Sequence, residues 1–158
     1  MKKDLRHRAR EAALQILYHW EIAQTDIPDA IETFFSLQWP DETPPPEALR
    51  TLAADLAADT VQHLSRIDAL IADTTERWRP ERMAVLDRLI MRLAICELLR
   101  PSGTPSAVVI NEALELARTF STEESVKFIN GMLDAIRRKL EAAPDPPATG
   151  NPPGNDVV

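Results

Sequence analysis

One segment constrains the fold more than any other: "RPERMAVLDRLIMRLAICELLRP", residues 79–101. Prolines bound it at both ends, since a proline is tolerated in a first turn but breaks a helix interior. Between them Met83, Leu86, Leu89, Ile90, Leu93 and Ala94 recur at about 100° per residue, the α-helical repeat, and form one wide face. Met91, Ile95, Leu98 and Leu99 add apolar bulk on the other flank. A helix apolar nearly all round must be covered by other elements, so this segment predicts a central helix. Its charged residues Asp87, Arg88 and Arg92 crowd toward the first half, which predicts that this end reaches the surface. Glu97 projects from the apolar face. A buried carboxylate needs donors, and backbone N–H groups at another helix start are the expected source.

The flanking segments supply the cover. Leu5, Ala9, Ala12, Ala13, Ile16, Leu17 and Trp20 form one helical stripe. Asp26 as N-cap and Pro28 in the first turn predict a short helix through Phe34, Phe35 and Leu37 that stops before Pro40. "WPDETPPPE", residues 39–47, is a rigid connector. From Pro46 to about Trp78 the pattern predicts two helices, broken near Ser65. After "PSGTPS" turns the chain, Ser106 is the expected cap of a helix carrying Val109, Ile110, Ala113, Leu116, Ala117 and Phe120. Ser121 and Glu124 read as a capping box before a last helix that buries Val126, Ile129, Met132, Leu133, Ile136 and Leu140. No period-2 strand pattern competes, so the expected fold is all-α, a bundle of about seven helices. Residues 1–143 are expected to form one helical domain. The stretch 144–158, rich in proline and glycine and poor in large apolar groups, is expected to be a disordered tail.

Several function classes are disfavoured. One cysteine and three scattered histidines supply no metal cluster. There is no Gly-rich phosphate loop, no HExxH and no GxSxG, and no nucleophile is marked out beside a base, so neither catalytic residues nor a cofactor are expected. No apolar run approaches the ~20 residues of a membrane span, and nothing resembles a signal peptide, so the chain reads as cytoplasmic. Cys96 is expected to be inert core.

Charge points elsewhere. The chain carries a net charge of −7, yet "KKDLRHRAR" opens it with Lys2, Lys3, Arg6, Arg8 and Arg10 against the single Asp4. Without residues 1–10 the balance is 13 Lys/Arg against 24 Asp/Glu, so the basicity is local. Arg6 and Arg10 sit one turn apart on a flank shared with His7 and Lys3, avoiding the apolar stripe. Arginines fixed on a packed helix can meet phosphates with little entropy loss. The acidic remainder argues against a broad grip on duplex DNA and favours a short single strand. Phe128, beside Glu124, Lys127 and Gly131, lies off the last helix's stripe and is either a stacking platform or a packing residue. Gly131 is expected to allow close approach of a helix or ligand. Trp78, in "ERWRPER", reads as core with a solvated rim.

The stretches "RHRAREAALQILYHWE", "LDRLIMRLAICELL" and "AVVINEALELARTFSTEESVKFINGMLD" together resemble the NusB family of bacterial transcription antitermination factors, most specifically in "INEALELA" and "KFINGMLD". The resemblance covers roughly residues 5–136. It implies two packed helical sub-bundles and a non-enzymatic adaptor that binds the boxA element of nascent ribosomal RNA with NusE, a small-subunit ribosomal protein, and joins RNA polymerase. Carried over by position, the RNA-binding residues are Arg6, Arg8 and Arg10, with Lys2 and Lys3 as extra phosphate contacts and Glu124 and Phe128 in the last helix; Lys127, beside Phe128, joins them as a candidate from the residue pattern. The NusE-facing positions are Glu81 and Asp87. Two departures bear on affinity: His7 interrupts the arginine run, and Ala107 stands where relatives often carry a basic residue. Two other readings remain open at this point. One is a self-associating or protein-binding helical module, including a homodimer. The other is a standalone relative of the RNA-binding domain of ribosomal RNA cytosine methyltransferases, since a chain ending at Val158 leaves no room for a cofactor-binding domain.

Overall fold

The structure is a computed structural model that describes residues 4–75, 82–101 and 103–142. Lys2, Lys3, Trp78, Glu81 and the 144–158 tail lie outside the described residues. Among the described residues seven α-helices run in order: α1 Leu5–Ala23, α2 Ile27–Thr33, α3 Glu47–Gln62, α4 Leu64–Thr74, α5 Val85–Leu99, α6 Ser106–Phe120 and α7 Glu123–Ala142. There are no strands among the described residues.

Local chemistry explains the boundaries. Asp4 caps α1 by accepting from the His7 N–H at 2.7 Å, and Gln24, at φ 53°, ends it in the left-handed region. Asp26 caps α2, as expected, by accepting from the Asp29 N–H at 2.9 Å. α2 continues as a π-helical turn, Phe34–Gln38, which stops before Pro40 and buries both Phe34 and Phe35. Their rings meet edge to face at 5.0 Å. The break between α3 and α4 falls at His63. Two expected caps are corrected. Pro105, with no side-chain bond to give, precedes α6, while Ser106 is its first residue. Thr122, not Ser121, caps α7: its Oγ1 accepts from the Ser125 N–H at 3.1 Å, because Ser121 is engaged elsewhere.

Two groups of helices form around α5. α1 packs most closely on α3, and α2 joins them. Ala9, Ala12 and Ala13 on α1 and Ala53 and Ala57 on α3 are buried, and such small side chains let helix axes approach. α6 and α7 pack together on the other side, and α4 lies against α7 and α5. α5 touches α1, α3, α4, α6 and α7, the central place its all-round apolarity requires.

The expected exposure of the first half of α5 is overturned, since every residue from Asp87 to Glu97 is buried. Each charge there has an opposite partner or polar donors. Arg92 donates to both oxygens of Asp68 at 2.9 and 2.7 Å and lies 3.4 Å from Glu21, which also reaches Arg88 at 3.4 Å. Asp87 accepts from the Ser121 and Ser125 hydroxyls at 2.7 and 2.6 Å. Cys96 is buried and free, and burial pushes its thiol pKa up.

Candidate nucleic-acid interface

Arg6 and Arg10, four residues apart, share a flank of α1 and line one depression, while Arg8 leaves the helix on another side. Arg6 is exposed and has no partner among the described residues. Arg8 turns toward the connector, with its guanidinium 5.2 Å from the Trp39 ring centroid and 2.5 Å from an Asp41 carboxylate oxygen. Arg10 is buried, which corrects the expected solvent exposure of the flank it shares with Arg6. Its Nε and Nη2 donate to the two oxygens of Glu97 at 2.8 and 2.9 Å, and Glu112 stands 3.6 Å away. Both Arg10 and Glu97 are more than nine-tenths buried. The donors for Glu97 are thus a guanidinium fork, not the backbone N–H groups expected. Burial alone would lower the Arg10 pKa, but the Glu97 hydrogen bond and charge, with Glu112 behind them, raise it. His7 belongs to the same cluster, with Nδ1 2.8 Å from Glu112 and Nε2 3.4 Å from Glu11.

On α7, Glu124 and Lys127 are exposed, and Phe128 is half-buried against the core. Gly131 faces open space: a Cβ there would meet nothing within 4 Å, so no helix approaches it. The two sets of expected RNA residues do not converge. Arg10 meets Glu97 near one end of α5, whereas Ser125 meets Asp87 near the other. Ten residues of helix separate those anchors, about 15 Å along the axis. Asp87 itself is buried rather than on an outer face, because the hydroxyls of Ser121, in the α6–α7 turn, and Ser125, in the first turn of α7, close over it.

A further surface escaped the sequence reading. A groove of about 370 Å³ opens between α1, the start of α5 and the end of α6, lined by Leu14, Tyr18, Ile22, Leu86 and Phe120 among others. Tyr18 and Ile22 are 43% and 56% exposed. Leu14, Tyr18 and Ile22 recur every fourth residue beside the main stripe of α1, and that second row was the available signal.

A family model described as "NusB family" matches residues 7–138, most of the chain. The chain belongs to the NusB family. The transcription antitermination protein NusB of Solibacter usitatus is 47% identical over 146 residues, covering 92% of this chain and 97% of that protein. The NusB of Koribacter versatilis is 41% identical over 142 residues, covering 90% and 94%. Among solved structures, T. maritima NusB superposes with a TM-score of 0.76 at 35% identity, covering 88% of this chain and 94% of that one. NusB in a crystal structure with NusE and dsRNA shares the fold, at a TM-score of 0.73 and 23% identity, covering 85% and 97%. The stretches that carry the NusB resemblance are largely core. "INEALELA" buries Ile110, Ala113, Leu116 and Ala117 while aiming Glu112 at His7 and Arg10, and "KFINGMLD" buries Ile129, Met132 and Leu133.

Proposed function

We propose that this chain is an RNA-binding transcription antitermination factor. In this reading it binds single-stranded RNA of the boxA type together with NusE and joins the antitermination complex on RNA polymerase. The role is cytoplasmic and non-enzymatic. The observation that carries the RNA reading is Arg6: an exposed guanidinium on the first turn of a packed helix, unpartnered among the described residues, in a chain that is otherwise acidic. A fixed cation of this kind meets a phosphate without first breaking an internal pair. Arg8 keeps partial access beside Trp39. Arg10 serves by fixing α1 against α5 rather than by touching RNA, and Lys2 and Lys3 extend the charge. Lys127 supplies a second phosphate contact, Glu124 a hydrogen-bond acceptor, and Phe128 the exposed edge of a ring against an unpaired base. A strand reaching both clusters must span on the order of 15 Å.

Titration of a boxA-type oligoribonucleotide across a salt series, with and without NusE, tests this. Arg6→Ala is expected to reduce the slope of log affinity against log salt by about 0.7, one phosphate contact on a single strand. An unchanged slope removes Arg6 from the interface.

NusE is assigned to the apolar groove beside Tyr18 and Ile22. Exposed apolar side chains gathered around a concave, apolar-lined surface are the usual mark of a protein contact. Ile22→Glu is expected to weaken NusE binding at least about ten-fold, because a carboxylate pressed into an apolar contact costs more than the ~1.4 kcal/mol that factor represents. Binding of RNA alone should not change. Equal NusE affinity for the two forms, measured by calorimetry, rejects the groove, and loss of a homodimer in the variant reassigns it to a second copy of the chain.

A further inference from the structure

Two depressions adjoin at the C-terminal end of α5, and they share Arg100. One, of about 180 Å³, contains Arg6, Arg10 and Glu97, with Leu52 and Leu56 in its wall. The other, of about 440 Å³, lies where α3 passes into α4 and contains Asp59, His63 and Arg66, with Leu99 and Pro101 beside them. Internal pairing decides the sign of this surface. Glu97 is neutralised by Arg10, and Asp59 by Arg100 at 2.8 Å. His63 Nδ1 lies 2.9 Å from the Asp59 carbonyl oxygen and 3.8 Å from its carboxylate. Arg6 and Arg66 remain, both exposed and both unpartnered among the described residues. The outcome is a positive strip: a free guanidinium at each end, the paired ones of Arg10 and Arg100 between, and apolar wall along it.

We infer that the RNA path does not end at α1 but continues from Arg6 past Arg100 to Arg66 at the start of α4. This inference rests on the RNA-binding reading above and extends it to a face that neither composition nor motif marked. Separated cations along an apolar floor suit a single strand, whose phosphates take the charges while sugars and bases lie on carbon. A duplex would present phosphates on both its edges and find only this one row. Arg6 then stands in the middle of the footprint, with the α7 cluster on one side of it and Arg66 on the other.

The test uses the full chain and a boxA-type oligoribonucleotide of about twelve nucleotides, long enough for a footprint of this size. Arg66 is exposed and makes no internal bond among the described residues, so Arg66→Glu should fold as the wild type does. It is expected to bind the oligonucleotide about five- to ten-fold more weakly at 0.1 M salt, with a shallower salt slope, while Arg66→Lys stays near wild type. Wild-type affinity in Arg66→Glu, beside a clear loss in Arg6→Ala, ends the path at α1 and overturns the extension alone. No loss in either variant overturns the underlying RNA reading as well. Weakened binding of Arg66→Glu to NusE in the absence of RNA makes the strip a protein interface and overturns the inference.

Discussion

Arg10→Ala is expected to cost about 3–5 kcal/mol of folding stability, the usual consequence of removing one partner of a buried ion pair. The penalty arises less from the lost attraction than from what stays behind. Glu97 would keep its charge in a site less than a tenth exposed, with Glu112 close by and no guanidinium between them. Glu97→Ala should cost less, because Arg10 still has Glu112 at 3.6 Å. Arg10→Met combined with Glu97→Leu should recover most of the loss, since it removes both desolvated charges and keeps the volume. Urea unfolding checks the order, single arginine variant worst and double variant near wild type. A loss below about 1 kcal/mol for Arg10→Ala is what an exposed pair would give, and would refute the buried fork. The same result bears on binding: lost RNA affinity in Arg10→Ala reports a displaced α1, whereas in Arg6→Ala it reports a lost contact.

The helices and the core were readable from periodicity because backbone geometry acts locally. The stripes of α1, α6 and α7, the break between α3 and α4, and the Asp26 cap all follow from residues within a turn or two of one another. What was not readable depends on partners far along the chain. The helical wheel sends Arg10, Arg92 and Asp87 toward water, yet Arg10 is claimed by Glu97, Arg92 by Asp68 and Asp87 by Ser121 and Ser125. Those pairings exist only once α1, α4 and the α6–α7 turn have packed on α5. The same cause misled the capping box, since Ser121 was free to cap α7 in sequence but not in space. Of the basic run, the wheel put Arg6 and Arg10 on one flank and could not tell which of them the core would take. Tyr18 and Ile22 went unnoticed for a different reason: an apolar row next to a stronger one is absorbed into the core in projection, although here it lies at the rim.

Asp87→Ala is expected to cost about 2–4 kcal/mol, the loss of two hydrogen bonds to a charged acceptor. The short contacts from Ser121 and Ser125 fasten the α6–α7 turn onto the first turn of α5, where a negative charge also favours the helix dipole. Asp87→Asn should cost less, because its amide oxygen still accepts one hydroxyl while its NH2 can donate to the other after that hydroxyl rotates. If Asp87 is a strut, both variants leave NusE affinity near wild type at temperatures where they remain folded. They should speed amide exchange through residues 121–126, which hold the end of α7 that carries Glu124, Lys127 and Phe128. If Asp87 instead touches the partner, Asp87→Asn weakens NusE binding with stability and exchange unchanged. Ser125→Ala separates the cases further. It removes one donor without altering charge, so in a double-mutant cycle with Asp87→Asn a strut gives a coupling well above zero in stability and none in NusE affinity.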